Sequence, residues 1–426
     1  MRTLYTLLWV IALPLALARL LWRSRRVPSY RERWEERLGR FAPPPQTGGV
    51  WVHAVSVGEV QAAQPLVRRL LANPAALPLT VTTTTPTGSA RVAELFGDQV
   101  FHVYFPFDLP WAVDGFLDRV QPRLLVLVET EIWPNLLGAC ARRGIPTLLA
   151  NGRLSARSAA GYARLGSFTR ETFAAIGGVA AQSAADAERF VALGAPPGRV
   201  RVTGSMKFDQ RLRRSVAEQS EVLRREWGAD RPVWVAASTH EGEDEQVLAA
   251  HAQVREALPD ALLVLVPRHP ERFDRVAGLV RRRGLPLVRR TERATVGPDT
   301  AVFLGDTMGE LSMFFGAADA AFVGGSLVDI GGHNVLEPAA LGLPVAFGPH
   351  MHNFAAIAGM LLDAEAALQV RNAAALAQLM TRWLGDASLR TRLGENGRKV
   401  VESNRGALDR TLEMVDELLP APGRAT

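Results

Sequence analysis

The 426-residue chain contains a single cysteine, Cys140, so no disulfide bond can form within it. No group of cysteines and histidines has the spacing of a zinc site. Lysine is nearly absent as well, because only Lys207 and Lys399 stand beside the arginines among the 49 basic residues. With 48% hydrophobic and 22% charged residues, the composition argues against a disordered, fibrous or polytopic membrane chain. The length suits two domains of about 200 residues each.

Most of the chain also lacks an excess of charge. Residues 1–40 contain nine arginines and three glutamates, and these account for the whole formal net charge of +6. The remaining residues balance, with 40 basic and 40 acidic side chains. The basic character is therefore a property of one end of the chain, and we expect no nucleic-acid partner.

Only one long hydrophobic run is present. Leu4–Ala18 contains no charged residue, and Arg19 and a basic cluster at Arg23–Arg26 follow it. A straight spanning helix needs about 20 apolar residues, so this run is marginal. We predict a membrane-anchor or interfacial helix, with the body of the protein on the cytoplasmic side, where positive charge after such a run is retained. A cleaved signal peptide and a helix buried in a soluble protein are the alternatives.

Tyr30–Arg40 continues this segment as a basic amphipathic stretch. It either rests on anionic lipid headgroups or forms an ordinary solvated helix face. The apolar run Leu4–Ala18 fits a helix that spans the bilayer and a helix that lies in it equally well.

The body of the chain alternates short β-rich runs with helical stretches, which is typical of parallel sheets covered on both faces. The runs are Val50–Ala54, Leu79–Thr84, Leu124–Val128, Thr147–Ala150, Gly178–Ala181 and Val200–Val202, then Val233–Ala237, Leu262–Val266, Ala301–Leu304, Ala320–Val323 and Val345–Phe347. The pattern pauses at Asp209–Asp230. We therefore predict an α/β protein with two Rossmann-like domains facing across a cleft, with boundaries at 1–40 (anchor and basic segment), 41–208 and 209–426.

Ligands of such sheets bind at the carboxyl ends of the strands. After the first run, Ser56–Glu59 leads directly into a predicted helix. Glu59 either caps that helix, where the macrodipole stabilises an acid, or is a general base.

Glu129 and Glu131 follow the third run, beside Ile132 and Trp133. In extended geometry both carboxylates point the same way. We expect at least one of them to be structural and to hold the loop through backbone N–H groups.

Two later segments contain candidate groups for an anionic ligand. Asn151–Ser158 presents hydroxyls and guanidinium groups, which suit an anion or a loop salt bridge equally well. Lys207 lies in Gly204–Asp209, in a chain that otherwise uses arginine for its cations. Because a lysine is a compact point charge with flexible reach, we interpret it as a phosphate or carboxylate contact, with chance retention as the alternative.

The second half offers three anion-binding patterns. Val266–Pro270 places Arg268 at a strand end, and Asp306–Leu311 opens a predicted helix beside a glycine. Gly324–Ser326 and Gly331–Pro338 give glycine-rich backbone followed by Glu337, an acid placed to accept ribose hydroxyls. There is no Walker-type loop and no G-x-G-x-x-G spacing, so an NTPase or an NAD enzyme is not supported. Together the three patterns predict a nucleotide site.

These motifs resemble those of the bacterial 3-deoxy-D-manno-octulosonic acid (Kdo) transferases that act on lipid A. The similar segments are Ser-Val-Gly-Glu at 56–59, Glu-Thr-Glu-Ile-Trp-Pro-Asn at 129–135, Asn-Gly-Arg-Leu-Ser-Ala-Arg-Ser at 151–158, Gly-Ser-Met-Lys-Phe-Asp at 204–209, Ser-Thr-His-Glu-Gly-Glu at 238–243, Pro-Arg-His-Pro-Glu-Arg-Phe at 267–273, Gly-Asp-Thr-Met-Gly-Glu-Leu at 305–311 and Gly-Gly-His-Asn-Val-Leu-Glu-Pro at 331–338. The resemblance covers nearly the whole chain. It implies a GT-B glycosyltransferase fold, with an acceptor domain at 41–208 and a CMP-sugar domain at 209–426.

The resemblance also implies a reaction and its residues. Kdo would pass from CMP-Kdo to a lipid A precursor, lipid IVA, at the cytoplasmic face of the inner membrane, in lipopolysaccharide biosynthesis. Glu59 would deprotonate the acceptor, and Glu129 and Lys207 would support the transition state. The residues implied to hold CMP are Pro267, Arg268, Met308, Gly309, Glu310, Asn334, Val335, Leu336 and Glu337. Val335 is a mild departure from the family pattern.

The mechanism expected from this resemblance is a single inverting displacement without a cofactor. No Asp-x-Asp motif is present to bind a metal, and Lys207 and Arg268 would stabilise the leaving phosphate. Glu129 would either stabilise positive charge on the sugar or orient Lys207. A UDP-sugar 2-epimerase, a UDP-sugar glycolipid transferase and a catalytically silent nucleotide-binding protein are the alternatives. The number of Kdo units, the acylation of the acceptor and the oligomeric state stay open.

Overall fold

The computed structural model describes residues 1–25, 27–209 and 214–419, which form two compact α/β units. The first unit comprises the described residues up to Asp209 and those from Arg405 onward. The second unit comprises the described residues from Arg214 to Asn404. The expectation of two parallel-sheet α/β domains is confirmed, since every strand pair in both sheets is parallel.

The strands of the first unit are β1 Val50–His53, β2 Leu79–Thr83, β3 Phe101–Tyr104, β4 Leu124–Val128, β5 Thr147–Gly152, β6 Gly178–Ala181 and β7 Val200–Val202. They form one sheet in the order β3-β2-β1-β4-β5-β6-β7. Val50 of β1 lies opposite Leu79 of β2 and Leu124 of β4, so β1 is an interior strand. Because helices cover both faces, all of β4 is buried, as its continuous apolar sequence predicts.

The helices of the first unit are α1 Arg2–Ser24, α2 Val57–Leu71, α3 Pro86–Phe96, α4 Pro110–Val120, α5 Pro134–Arg142, α6 Ala156–Ala163, α7 Ser167–Ala174 and α8 Ala184–Ala192, with a further helix at Ala407–Leu418. In α2 the apolar positions Val60, Ala63, Val67 and Leu70 recur at intervals of three and four and pack on the sheet. Among the described residues, α1 alone is long and apolar enough to cross a membrane. This single feature is weak evidence of membrane association.

The strands of the second unit are β8 Val233–Thr239, β9 Leu262–Pro267, β10 Leu287–Arg289, β11 Val302–Leu304, β12 Ala320–Val323, β13 Val345–Phe347 and β14 Ala367–Gln369, in the order β10-β11-β9-β8-β12-β13-β14. Its helices are α9 Arg214–Trp227, α10 Asp244–Ala257, α11 Phe273–Arg282, α12 Leu311–Gly316, α13 Leu336–Ala340, α14 Ala355–Asp363, α15 Ala373–Gly385 and α16 Ala387–Ser403. The pause in the strand pattern after Asp209 corresponds to α9, whose Leu223 and Trp227 are buried in the core of this unit.

Three strands have no counterpart in the sequence patterns, namely β3, β10 and β14. All three lie at sheet edges and are partly exposed. An edge strand needs no continuous apolar run, because one side of it lacks a neighbouring strand.

The helix at Ala407–Leu418, α17, belongs to the first unit, whereas the expected second domain ran to residue 426. Ala407, Met414 and Val415 are buried in the core of the first unit. The carboxylate of Asp209 accepts the backbone N–H groups of Gly406 and Leu408, both at 2.7 Å, at the start of this helix. The apolar face of α17 therefore completes the first unit.

Candidate active site

Glu59 lies in the first turn of α2, directly after the interior strand β1. Its carboxylate turns back toward the preceding loop, where Oε2 accepts the Val55 N–H at 2.7 Å and Oε1 accepts the Ser56 hydroxyl at 3.2 Å. These bonds resemble those of a helix-capping box. The observed conformation of Glu59 is therefore compatible both with a helix-capping role and with a role as an active-site carboxylate.

The pKa of Glu59 is raised to about 8, chiefly by burial. The N–H of Val55 acts in the opposite direction, and the charges of Glu131 and Glu129 raise the pKa again. An acid at a helix start is ordinarily a weak base, because the helix dipole lowers its pKa. At Glu59 the rise in pKa caused by desolvation is larger than that effect. A carboxylate with a pKa near neutrality has the property that a general base requires.

Glu129 and Glu131 follow β4, but the expected extended geometry is wrong at Glu129. Its φ of +62° places it in the left-handed region, which costs a non-glycine residue about 1–3 kcal/mol. Its backbone N–H still continues the sheet to the Ala150 carbonyl at 2.9 Å. The pKa of Glu131 is raised to about 7, chiefly by burial, and the Trp133 indole N–H donates to its Oε2 at 2.9 Å. The charge of Glu129 also raises the pKa of Glu131, as both charges raise that of Glu59. We refer to the carboxylates of Glu59, Glu129 and Glu131 as the carboxylate cluster.

Lys207 joins this cluster through an ion pair with Glu129, at 3.4 Å between Nζ and Oε1. Both side chains are about three-quarters buried, with 25% and 30% of their surfaces exposed. The short helical turn Met206–Asp209 holds the lysine, since its neighbours Met206 and Phe208 are buried and Asp209 caps α17. The structure thus places Lys207 against a carboxylate of the chain itself, and its expected contact with an anionic ligand stays a prediction.

Asn151, at the end of β5, connects the sheet to this turn. It is fully buried, has a φ of +55°, and its Oδ1 accepts the backbone N–H of Met206 at 3.1 Å. The following loop is held by local bonds, because Ser155 caps α6 through the Ser158 N–H and Thr130 donates to the Arg153 carbonyl. Within the 151–158 motif, Asn151 is therefore the residue that the fold brings to the lysine.

In the second unit, Pro267 ends β9 and Arg268 follows it. The Arg268 N–H donates to the Thr239 carbonyl at 3.0 Å, which fixes the strand end. Burial is the largest cause that lowers the pKa of both His240 and His333, and the charge of Arg268 is a smaller cause in the same direction at each. The nitrogens Nε2 of these two histidines are 2.8 Å apart and the rings stack with an interplanar angle of 3°. Arg268 therefore lies beside a histidine pair that the sequence patterns did not single out.

Glu310 immediately precedes the six-residue helix α12. Arg290 binds its carboxylate in a bidentate manner, at 2.8 and 3.1 Å, and Thr307 also donates to it. These groups hold the pKa of Glu310 below its usual range, with the Arg290 bond the largest cause. Met308 is 60% exposed and Gly309 has a φ of +84°, which a glycine adopts without strain.

Glu337 lies in the first turn of α13 with both carboxylate oxygens bonded. Asn334 Nδ2 donates to Oε1 at 3.0 Å and the Ser312 hydroxyl donates to Oε2 at 3.1 Å. Burial raises the pKa of Glu337 in spite of these bonds. Val335 and Leu336 are buried beneath it, and the Leu336 N–H donates to Asn334 Oδ1 at 3.0 Å.

The glycine-rich loop at Gly324–Ser326 is not an open anion site. A fully buried acid of the chain itself, Glu243, accepts the backbone N–H groups of Gly325, Ser326 and Leu327 at 2.6, 2.9 and 2.8 Å. It also accepts the His240 N–H at 2.9 Å. The anion-binding interpretation of this loop is therefore corrected, because an internal carboxylate occupies the donors that a phosphate would need.

No group of three or more His, Cys, Asp or Glu side chains within residues 1–25, 27–209 and 214–419 is arranged to hold a metal ion. What the structure brings together is a set of acids with one lysine in the first unit. In the second unit it provides an arginine at a strand end, a pair of histidines, and two acids held at helix starts. The first set is suited to proton transfer, and the second to holding a polar, anionic ligand.

The chain is similar to proteins of known function. Residues 32–210 match the family model described as 3-deoxy-D-manno-octulosonic-acid transferase (kdotransferase). The 3-deoxy-D-manno-octulosonic acid transferase of Haemophilus influenzae is 44% identical over 98% of this chain and 99% of that protein. The enzyme of the same name from Bordetella pertussis is 39% identical over 94% of this chain and 96% of its own length. The chain belongs to the 3-deoxy-D-manno-octulosonic acid transferase family. The family resemblance and the enzyme class expected from the sequence, a glycosyltransferase, are confirmed.

A solved structure supports the fold. The UDP-GlcNAc 2-epimerase of Neisseria meningitidis is 12% identical and aligns with a TM-score of 0.59 over 87% of this chain and all of its own. A likeness at this identity shows the shared two-domain architecture alone. The GT-B-like fold class is therefore confirmed for a family member whose structural relatives include epimerases.

Proposed function

We propose that this protein transfers Kdo from CMP-Kdo to a lipid A precursor, lipid IVA, in lipopolysaccharide biosynthesis. The observation that carries the proposal is the placement of Glu59 in a chain of this family. It stands at a strand end beside two further acids, with a pKa raised to about 8. The reaction is a single displacement with inversion at the anomeric carbon, and it uses no metal.

Glu59 is the general base in this proposal. The bonds from Val55 and Ser56 fix its carboxylate, so it meets the acceptor hydroxyl without a search over rotamers. As the hydroxyl oxygen attacks the anomeric carbon, its proton passes to Glu59, and the bond from that carbon to the CMP phosphate breaks. Positioned proton transfer of this kind contributes about 10²–10⁴-fold in rate.

Lys207 and Glu129 act together in this proposal. The 3.4 Å ion pair supports a role for Glu129 in orienting Lys207. The lysine then stabilises the negative charge that grows on the departing phosphate, with Arg268 in the same role. Electrostatic stabilisation of this kind is usually the largest contribution to catalysis.

The second unit holds CMP in this proposal. The contacts are assigned to Pro267, Arg268, Met308, Gly309, Glu310, Asn334, Val335, Leu336 and Glu337. Glu310 and Glu337 support this assignment, because each is already held in place by Arg290 or by Ser312 and Asn334. A carboxylate oxygen has two lone pairs, so each retains capacity for ligand hydroxyl or amino groups.

The protein is proposed to work at the cytoplasmic face of the inner membrane, attached through α1. Its partners are then the donor, the lipid acceptor and the membrane lipid. The length and apolar composition of α1 support attachment. The first unit, which contains the carboxylate cluster, is assigned to the acceptor, and the second unit to the CMP-sugar.

The test is Kdo transfer in detergent, with CMP-Kdo generated in situ, a tetraacyl lipid A precursor and no added metal. The wild type should form product, and Glu59→Gln should lose at least about 10²-fold in rate. Glu94→Gln, at an exposed position paired with Arg91, is the matched control and should keep full activity. No product from folded, CMP-binding wild type overturns the donor and acceptor assignment, and full activity in Glu59→Gln overturns the base.

A further inference from the structure

Helix α1 makes side-chain hydrogen bonds to the rest of the first unit near its start, from Tyr5 and Thr6. The Tyr5 hydroxyl donates to Asp108 Oδ2 at 2.9 Å, and the Trp9 indole N–H donates to the Tyr5 hydroxyl at 2.8 Å. Thr6 donates to Asn135 Oδ1 at 3.2 Å. Asp108 is fully buried and also caps α5 through the Asn135 and Leu136 N–H groups, at 3.0 and 2.8 Å. The start of α1 is thus hydrogen-bonded to the buried carboxylate of Asp108.

Ring contacts and a close approach extend this docking. Tyr5 lies 5.7 Å from Phe168, and Trp9 lies 5.9 Å from Phe107 and 6.5 Å from Trp133, measured between ring centroids. A side-chain carbon at Gly138 of α5 would collide with the Arg2 guanidinium, so α1 approaches α5 where no side chain stands between them.

The opposite end of α1 also returns to the protein. The Arg23 guanidinium lies over the Tyr30 ring at 5.3 Å, in the turn Pro28–Arg31 that follows the helix. Leu17, Leu20 and Leu21 line a cavity with Tyr30 and Trp34. Both ends of the helix therefore contact residues of the same unit.

Burial along α1 follows the helical period. One face is half-buried against the unit, at Arg2, Tyr5, Thr6, Trp9, Ala12, Leu13, Ala16, Leu17, Leu20 and Ser24. The opposite face is apolar and exposed, with Leu4, Leu7, Leu8, Ile11, Leu15 and Trp22 between 52% and 73% exposed. Arg19, Arg23 and Arg25 are exposed toward the end of the helix. An apolar face flanked by arginines is complementary to an anionic lipid surface.

The lengths exclude a spanning orientation while these contacts hold. The hydrocarbon core of a bilayer is about 30 Å thick. Val10–Ser24, the part beyond the hydrogen-bonded start, has 15 residues and extends only about 22 Å. A spanning α1 would also carry Asp108 and Asn135 through the hydrocarbon or break their bonds to the helix.

We propose that α1 lies in the plane of a single leaflet, with its Leu4–Leu15 face in the lipid and its opposite face on the first unit. This inference rests on the proposed membrane attachment and deepens it. The start of α1 then lies on the same side of the membrane as the rest of the chain.

The sole cysteine makes the test specific, because Cys140 is buried and its pKa is raised to about 12 by burial. Thr3→Cys, at the helix start, and Thr47→Cys, on the body of the first unit, introduce single exposed thiols. Each variant is labelled with the fluorophore NBD and bound to preformed, sealed vesicles of phosphatidylethanolamine and phosphatidylglycerol. Dithionite, which does not cross the bilayer, is then added outside.

An in-plane helix predicts that both labels are bleached at once and to the same extent. Bleaching of the Thr3→Cys label only after detergent opens the vesicles, with immediate bleaching of the Thr47→Cys label, would overturn the proposal. Failure of the protein to float with the vesicles would overturn it too. Kdo transfer is measured on the same samples, so a loss of the proposed reaction is distinguished from a wrong orientation.

A second variant keeps the test decisive if Thr3→Cys misfolds. Thr6→Cys with Asn135→Cys places two thiols where the native side chains touch. The in-plane helix predicts an intramolecular disulfide in vesicles as in detergent. A bridge that forms in detergent and not in vesicles would show that α1 leaves the unit to enter the bilayer.

Discussion

Strand-end acids differ between the two units in what surrounds them. In the first unit, burial raises the pKa of Glu59 to about 8 and that of Glu131 to about 7, and among the described residues the hydrogen-bond donors to both are neutral. In the second unit, the pKa of Glu310 is lowered, chiefly by the Arg290 bond. For Asp306, burial is outweighed by bonds from Thr291 and Arg289, and its pKa is lowered as well.

Glu337 differs from Glu310 in the kind of hydrogen-bond donor that its carboxylate accepts. It lies in the second unit and accepts bonds from Ser312 and Asn334, yet burial raises its pKa. At Glu337 the neutral donors do not compensate for burial, whereas at Glu310 the Arg290 guanidinium does. At Asp244 burial raises the pKa even though Arg272 binds the carboxylate. The first unit thus has two acids, Glu59 and Glu131, whose raised pKa values lie near neutral pH, whereas the pKa values of Asp306 and Glu310 in the second unit are lowered.

The largest expected effect is on the buried acid Glu243. Glu243→Gln removes the charge that four backbone N–H groups share, and an amide oxygen cannot serve them all. We expect a loss of about 3–5 kcal/mol in the free energy of unfolding of the second unit, measured by urea denaturation. Glu241→Gln, two residues away and exposed, is the control and should change it by less than about 0.5 kcal/mol. Equal stability of the two variants would contradict the internal-anion interpretation.

A smaller effect is expected at Lys207. Lys207→Ala removes the cation beside Glu129 and should lower kcat by about 10²-fold, because its charge acts on the leaving phosphate. Lys207→Arg should restore part of this loss, since the charge returns in a different shape. Lys399→Ala removes the only other lysine, at an exposed position, and should leave Kdo transfer unchanged. A loss confined to KM would argue against a transition-state role.

An effect of about tenfold on CMP affinity is expected at Arg290, whose guanidinium binds the Glu310 carboxylate. Arg290→Ala removes the bidentate partner of Glu310, so the pKa of Glu310 should rise and the carboxylate should lose its fixed orientation. We expect CMP to bind about tenfold more weakly, as for the loss of one charge-assisted hydrogen bond, measured by calorimetry. Arg293→Ala, at an exposed position nearby, is the matched control. Unchanged affinity in Arg290→Ala would remove Glu310 from the CMP site.

The smallest effect is a shift in pH dependence. Glu59 acts as a base only when deprotonated, so kcat/KM of the wild type should rise with pH to a plateau above about pH 8 and fall as pH drops through the pKa of Glu59. Glu131→Gln removes a charge that raises this pKa. The midpoint should therefore move to lower pH, and the relative activity near pH 7.5, where Glu131 is mostly ionised, should rise about twofold. A profile unchanged by Glu131→Gln would separate Glu131 from the base.

Sequence reasoning located the groups better than their conformations. The interior strands are continuous apolar runs, so Glu59, Glu129 and Arg268 could be assigned to strand ends from pattern alone. The left-handed backbone of Glu129 could not be foreseen, because only tertiary contacts stabilise a strained conformation in a non-glycine residue. Glu243 was hidden for a similar reason. It lies about 80 positions before the glycine loop that it fills, and no local pattern connects the two.

The last helix has a consequence for how the protein is made. Ala407, Met414 and Val415 of α17 fill the core of the first unit, yet the ribosome produces them only after the whole second unit. At about 5–20 residues per second, the intervening segment takes on the order of 10–40 s to synthesise. During that interval the nascent first unit lacks the apolar side chains of α17 that complete its core, and the Asp209 carboxylate lacks the N–H groups of Gly406 and Leu408.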